Sequence, residues 1–226
     1  MQKIMFEHRR FGLEQAVIAR LKENTRRRVR FPKGVNDADV ESAVMGIDEK
    51  GRVYFTFSVA TDQGTETVDV YPKYQIGERV AVAQSYENIP MEHFMNGIDD
   101  PMKRYFQEQL VKQAAAYKNK LFAVASLMPH VIEITNIKAE RLQDISNEDC
   151  TKEGIYRDEG NGVVIGWPFG VPFFYTFTGA ISKESGKQLL WTTRKEAFSE
   201  LINSINGRGT WNRNEWQFAY TFKLIK

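Results

Sequence analysis

The closing stretch of the chain, QFAYTFKLI (217–225), alternates large apolar side chains with smaller or polar ones as far as Leu224. A period of two is met by a strand with one face on a core and the other away from it. A second constraint of the same kind lies upstream. VYFTFSV (53–59) and ETVDVY (66–71) are β-branched and aromatic runs on either side of ATDQGT, the signature of a hairpin. Residues 2–6 and GERVAVAQSY (77–86) also read as strands, extended runs flank Met128-Pro129, and 163–182 is aromatic and β-rich. Pro32, Gly34, Asn36 and Asp37 mark a loop.

Helical periodicity appears between these runs. In GLEQAVIARL (12–21), Leu13, Ala16, Val17 and Leu21 share a face. Residues 100–118 carry Asp100 as cap, Pro101 in the first turn, and an apolar stripe of Met102, Tyr105, Phe106, Leu110, Ala114 and Tyr117. SNEDCTKEGI is a short helix capped by Ser146 and ended by Gly154. In TTRKEAFSELINSI (192–205), Thr193 and Glu196 have capping-box spacing. Strands and helices mix without regular βαβ alternation and without an internal repeat or low-complexity linker. The expectation is a single α+β domain over residues 1–226 with a mainly antiparallel, barrel-like sheet.

The chain has 226 residues, 42% of them apolar, enough for a proper core. Net charge is +2, which excludes a nucleic-acid-type global charge and leaves any anion site to local clustering. Cys150 is the one cysteine, so no disulfide can form within the chain, and a reducing, cytoplasmic compartment is expected. No apolar run suits a signal peptide or approaches the roughly 20 residues of a membrane helix. His8, His93 and His130 lack ligand spacing and there is no phosphate-cradling glycine loop, so neither metal nor cofactor is expected. The ligand in view is RNA or a nucleoside; the sequence does not fix an oligomeric state.

The charge cluster is LKENTRRRVR (21–30). In an extended chain Arg26, Arg28 and Arg30 share a face, and Arg27 lies opposite, beside Thr25 or in an internal ion pair. Three aligned guanidinia make a phosphate-tracking stripe; the alternative is a solvated face paired with Asp37, Asp39 or Glu41. The aromatic run GWPFGVPFFYTF (166–177) is either core or a base-stacking platform. Trp216 reads as core.

FGLEQAVIARLKENTRRRV, GERVAVAQSY, ITNIKAERLQDISNEDCTKEGI and FSELINSINGRGTWNRNEWQFAYTFKLI occur in the order seen in ASCH-domain proteins, and the chain resembles their longer phage and bacterial type. The resemblance covers the first 30 residues, 77–86, about 126–155 and 192–226, and leaves insertions at about 35–72, 87–120 and 156–190. It implies a PUA-like small β-barrel flanked by helices, with inserted hairpins and a helix, and a cleft beside the first helix that binds RNA or a modified nucleoside. Some small bacterial members are amidohydrolases that remove the acyl group of N4-acetylcytidine with a lysine, a threonine and a glutamate. These fall on Lys22, Thr25 and Glu153, and the arginine of the same turn on Arg27. Arg26, Arg27, Arg28, Gln84 and Trp211, which sits where relatives close the cleft, complete the candidate ligand contacts. Three positions depart from the pattern: Arg20 replaces a glycine, Glu23 replaces a small threonine and could pair with Lys22, and Ala83-Gln84 replaces Arg-Glu.

Amide hydrolysis needs a nucleophile, a base and a proton donor to the leaving amine. A lysine serves as base when burial or cationic neighbours depress its pKa, which gives the arginine crowd a role. The enzymatic version is therefore an amidohydrolase acting on N4-acylated cytidine. The alternatives are a non-catalytic RNA-binding module, in which Lys22 points at solvent or pairs with Glu23, and a phage-related protein-interaction domain. The inserted helix at 100–118 either caps the cleft or makes a dimer contact.

Overall fold

The computed structural model describes residues 1–7, 10–158, 174–178, 180, 181 and 186–226. The chain runs β1 (Gln2–Ile4), α1 (Leu13–Ile18), β2 (Asn24–Arg28), β3 (Val40–Ile47), β4 (Val53–Thr61), β5 (Gly64–Val70), β6 (Arg79–Val82), α2 (Pro101–Gln113), β7 (Val131–Arg141), α3 (Asn147–Lys152), β8 (Tyr156–Asp158), β9 (Phe174–Thr176), α4 (Arg194–Asn206), α5 (Thr210–Arg213) and β10 (Trp216–Leu224). The fold is α+β. Its main sheet has the order β1-β6-β7-β10-β2, with β1 parallel to β6 and every other pairing antiparallel. A second sheet has the order β3-β4-β5, and β8 pairs with β9. Among the described residues the main sheet is open, with β1 and β2 as its edges, and no closed barrel forms.

Alternation along β10 sorts the main sheet into two faces. Trp216, Phe218 and Tyr220 turn toward the second sheet, where the Phe57 ring lies 5.3 Å from Trp216 and the Phe55 ring 5.4 Å from Phe218. The hairpin β4–β5 supplies those rings from the buried positions of β4, whose turn falls at residues 62–63. The opposite face is polar. Asn24, Arg26 and Arg28 on β2 pair through Thr221, Ala219 and Gln217 on β10 with Asn136, Lys138 and Glu140 on β7.

The helix caps act as their residue types dictate. Asp100 accepts from the amides of Met102 and Lys103, Ser146 from that of Asp149, and Thr193 with Glu196 closes a capping box. The end of α1 is a Schellman turn, in which Leu21 N–H donates to the Ala16 carbonyl and Arg20 N–H to that of Val17. Arg20 holds the left-handed position with φ of 60°.

Several expectations are corrected. The strand expected over 77–86 is limited to 79–82, because Tyr86 starts a 3-10 turn. The helix expected to reach residue 118 stops at Gln113; Met102, Tyr105, Phe106 and Leu110 of its stripe are exposed, and Ala114 and Tyr117 beyond it are partly buried. The run before Met128 forms 3-10 turns at 120–122 and 125–127, not an extended segment. Most of the aromatic run, residues 166–173, lies outside the described residues. Its described end is packed, not presented: Phe177 is buried and stacks on Trp191 at 5.2 Å.

Candidate functional site

The turn that ends α1 delivers Lys22 to the polar face of the main sheet, where α3 and the residue after it arrive from the other side. Lys22 Nζ donates to the backbone carbonyl of Glu153 at 2.9 Å and also to its carboxylate oxygen Oε2. The other carboxylate oxygen accepts from Arg26 Nη1 at 2.8 Å. Arg26 Nη2 reaches Glu140 at 2.5 Å and lies 3.6 Å from Asp149. Asp149 in turn accepts from Asn24 at 3.0 Å and faces Lys138 at 3.4 Å. Three cations, Lys22, Arg26 and Lys138, thus interleave with three carboxylates, Glu153, Glu140 and Asp149. Lys22, Asn24, Arg26, Asp149 and Glu153 are all buried.

Burial is the leading influence on Lys22 and pushes its ammonium below the usual lysine range. Glu153 opposes this through charge and hydrogen bonding, and Arg27 and Arg26 add to it by repulsion. The arginine crowd therefore acts on Lys22 as a secondary cause. Burial also pushes the Cys150 thiol, next to this cluster on α3, up to about 12.

Thr25 is buried but belongs to the other face of β2, directly opposite Tyr220 in the register. Among the described residues no hydrogen bond joins it to Lys22 or Glu153. The structure thus brings Lys22, Glu153 and Arg26 together and keeps Thr25 apart from them. Glu23, a possible partner for Lys22, is exposed, while Lys22 is held by Glu153.

Arg27 shares the face of Thr25 and opens on a cleft of about 1010 Å³ between the two sheets. Its lining includes Arg27, Arg28 and Arg30 from the cluster, Lys3 and Lys73, and Tyr71, Tyr74 and Phe31, with Asp37 as the one carboxylate. Asp37 is bonded to Arg141 at 2.6 Å. Arg27 donates to the Met5 carbonyl at 2.7 Å and covers the Phe6 ring. Lys73 lies over the Tyr74 ring at 5.1 Å. Arg28 meets Glu215 at 3.0 Å while remaining 61% exposed, and among the described residues Arg30 has no partner. The cluster therefore does not form a stripe of three free guanidinia: Arg26 is consumed internally, and Arg27, Arg28 and Arg30 reach the cleft.

Gln84 is buried beyond β6, with its side-chain oxygen unpartnered; its backbone N–H, not its side chain, is directed at the Met128 sulfur at 3.2 Å. Trp211 packs edge-on against Phe198 at 6.1 Å, and Phe198 carries the Arg26 guanidinium on its face at 5.6 Å. Trp211 thereby buttresses the ion network from behind rather than lining the cleft. Glu14 on α1 is fully buried and paired with Lys120 at 2.7 Å, a second internal pair. Glu140, Asp149, Tyr74 and Tyr220 were not singled out in the sequence. The matched period-two polar positions of β2 and β7 were the available signal for the first. Among the described residues no group of three or more His, Cys, Asp or Glu side chains is placed to hold a metal ion, and no helix is long and apolar enough to cross a membrane. Compared with protein-family models, with curated proteins and with solved structures, the chain finds no match in any of the three.

Proposed function

We propose that the chain is an ASCH-like domain of PUA type that binds RNA or a modified nucleoside in the cleft in front of Arg27. The observation that carries this reading is the lining: Arg27, Arg30 and Lys73 have no ion-pair partner among the described residues, the one carboxylate is already neutralised, and aromatic side chains are interleaved with these cations. Phosphates are drawn to such cations, and a base stacks on an aromatic face at a gain of about 1–3 kcal/mol. The test is fluorescence anisotropy of a labelled single-stranded RNA against the protein across a salt series. Affinity should fall with log salt, with a slope of about −0.7 per phosphate neutralised. Arg27→Ala should weaken it at every salt concentration. Binding that ignores both salt and Arg27→Ala would sink the reading.

The second reading is hydrolysis of the amide of N4-acylated cytidine, and the burial of Lys22 against Glu153 favours it. A lysine held below its usual range has a neutral fraction able to take a proton from a hydroxyl or water as that oxygen attacks the acyl carbon. The C–N bond then breaks, the proton passes to the leaving amine, and Glu153 steers the exchange. Incubation of the protein with N4-acetylcytidine, with Lys22→Ala in parallel, decides it by chromatographic release of cytidine. Release that disappears in the variant supports a hydrolase; no release at enzyme concentrations comparable to substrate leaves the binding module.

A further inference from the structure

The cleft in front of Arg27 is walled in part by a segment that the ASCH resemblance leaves over. From the insertion at 35–72 it takes Val35, Asp37, Val70 and Tyr71; from the one at 87–120 it takes nothing, so α2 is not its cap. Tyr71 follows the last residue of β5. The register in which Phe55 pairs with Val70 continues by one step to set Tyr71 opposite Tyr54, and the two rings meet at 5.7 Å. The Tyr71 hydroxyl donates to Asp48 at 3.3 Å. The Arg52 guanidinium, paired with Asp48 at 2.8 Å, lies over the Tyr71 ring 4.7 Å from its centroid. None of Asp48, Arg52 and Tyr54 lines the cleft. They therefore hold Tyr71 from the side away from the cleft and leave the rest of its surface turned toward it.

The other aromatic side chains of the lining are engaged elsewhere. Tyr74, Phe218 and Tyr220 are buried, and Tyr74 also carries Lys73 on its ring and donates its hydroxyl to the Lys3 carbonyl at 2.9 Å. Phe31 is partly buried and packs at 5.0 Å against Phe57. Tyr71 is 44% exposed, the one exposed ring among the described lining residues. We propose that Tyr71 is the base-stacking platform of the cleft. The ligand is accordingly an unpaired nucleotide of a single strand, with its base on Tyr71 and its flanking phosphates on Arg27, Arg30 and Lys73. Inside a duplex each base is covered on both faces by its neighbours, whereas an unpaired base can turn onto a ring. This rests on the reading of the cleft as a nucleic-acid site, and it gives the inserted hairpin β4–β5 the task of selecting single strands.

The experiment is fluorescence anisotropy of the full chain with three labelled probes of equal length: an oligouridylate, an abasic strand and a fully paired RNA duplex. Tyr71→Ala should weaken the oligouridylate by about 5- to 150-fold, the loss of one stacked base. The slope of affinity against log salt should not change, because no phosphate contact is removed. Tyr71→Phe keeps the ring, loses only its bond to Asp48, and should stay close to the wild type. The abasic strand and the duplex offer no base to the ring and should bind Tyr71→Ala as they bind the wild type. Oligouridylate binding that depends on salt and on Arg27 but ignores Tyr71→Ala overturns the platform and leaves the reading of the cleft standing. A loss in Tyr71→Ala that the abasic strand shares overturns it too, because the variant has then disturbed the cleft rather than removed a stacking face. No oligouridylate binding to the wild type at any salt concentration sinks both.

Discussion

Lys22 is bonded to both ends of Glu153: its ammonium donates to the backbone carbonyl at 2.9 Å and to the side-chain carboxylate of the same residue. The pair joins the turn after α1 to the end of α3 with both charged groups buried. Glu153→Gln keeps the shape and removes the charge that Lys22 and Arg26 share. Leaving buried cations short of an anion costs about 3–5 kcal/mol. Denaturant unfolding should show a loss on the order of 3 kcal/mol, and Lys22→Met added to it should cost less than it does alone, since the two partners are coupled. Additive losses would mean that the pair is not a unit.

Arg26 and Arg27 are adjacent in sequence and opposite in fate. Arg26 sits among Glu153, Glu140 and Asp149, and Arg27 reaches the cleft. Arg26→Ala should cost several kcal/mol of stability, for the reason given for Glu153. Arg27→Ala loses one bond to a carbonyl and its cover over Phe6, on the order of 1 kcal/mol. The expected result is a melting temperature that drops for the first and hardly moves for the second, while RNA affinity drops for the second. Equal destabilisation by both would contradict the two-face description of β2.

The alternation of β4, β5 and β10, and the caps at Asp100, Ser146 and Thr193, were legible because they are local signals. Strand β3 was not: its residues are mostly exposed on both sides, and VESAVMGI is held as a strand by pairing with β4 rather than by its own pattern. The stripe of α2 shows what periodicity leaves open, since spacing says that a face is apolar without saying what covers it. The cluster LKENTRRRVR was visible as charge. Which arginines were spent internally depended on Glu140, Asp149 and Glu153, more than 110 residues downstream, where no local pattern reaches.

Arg20 is a test of conformational cost. It occupies the left-handed C-terminal position of the Schellman turn at φ 60°, a place that glycine fills without a Cβ penalty. A side chain there costs roughly 1–2 kcal/mol, of which glycine's freer unfolded chain gives part back. Arg20→Gly should therefore raise stability by about 0.5–1 kcal/mol, seen as a higher urea midpoint at unchanged slope. Arg20→Ala keeps the Cβ and should gain nothing. A loss of stability in the glycine variant would mean that the arginine side chain makes a contact worth more than the strain.

Tyr220 links the core to the rim of the cleft, and its titration gives a signed prediction. Burial pushes its hydroxyl up to about 12 from an ordinary value of 10.0, so the fold prefers the neutral phenol. Between those two pH values the folded protein holds a proton that the unfolded chain has lost, and stability therefore falls as pH rises through that window. The contribution is fully present below pH 10 and is on the order of 2–3 kcal/mol. Tyr220→Phe removes the titrating group and also the acceptor of the Lys73 N–H at 3.1 Å. The variant should start about 1 kcal/mol lower at neutral pH. It should then lose less than the wild type on alkaline titration, so the two stability curves cross between pH 10 and pH 12. Parallel curves would show that another group governs alkaline unfolding.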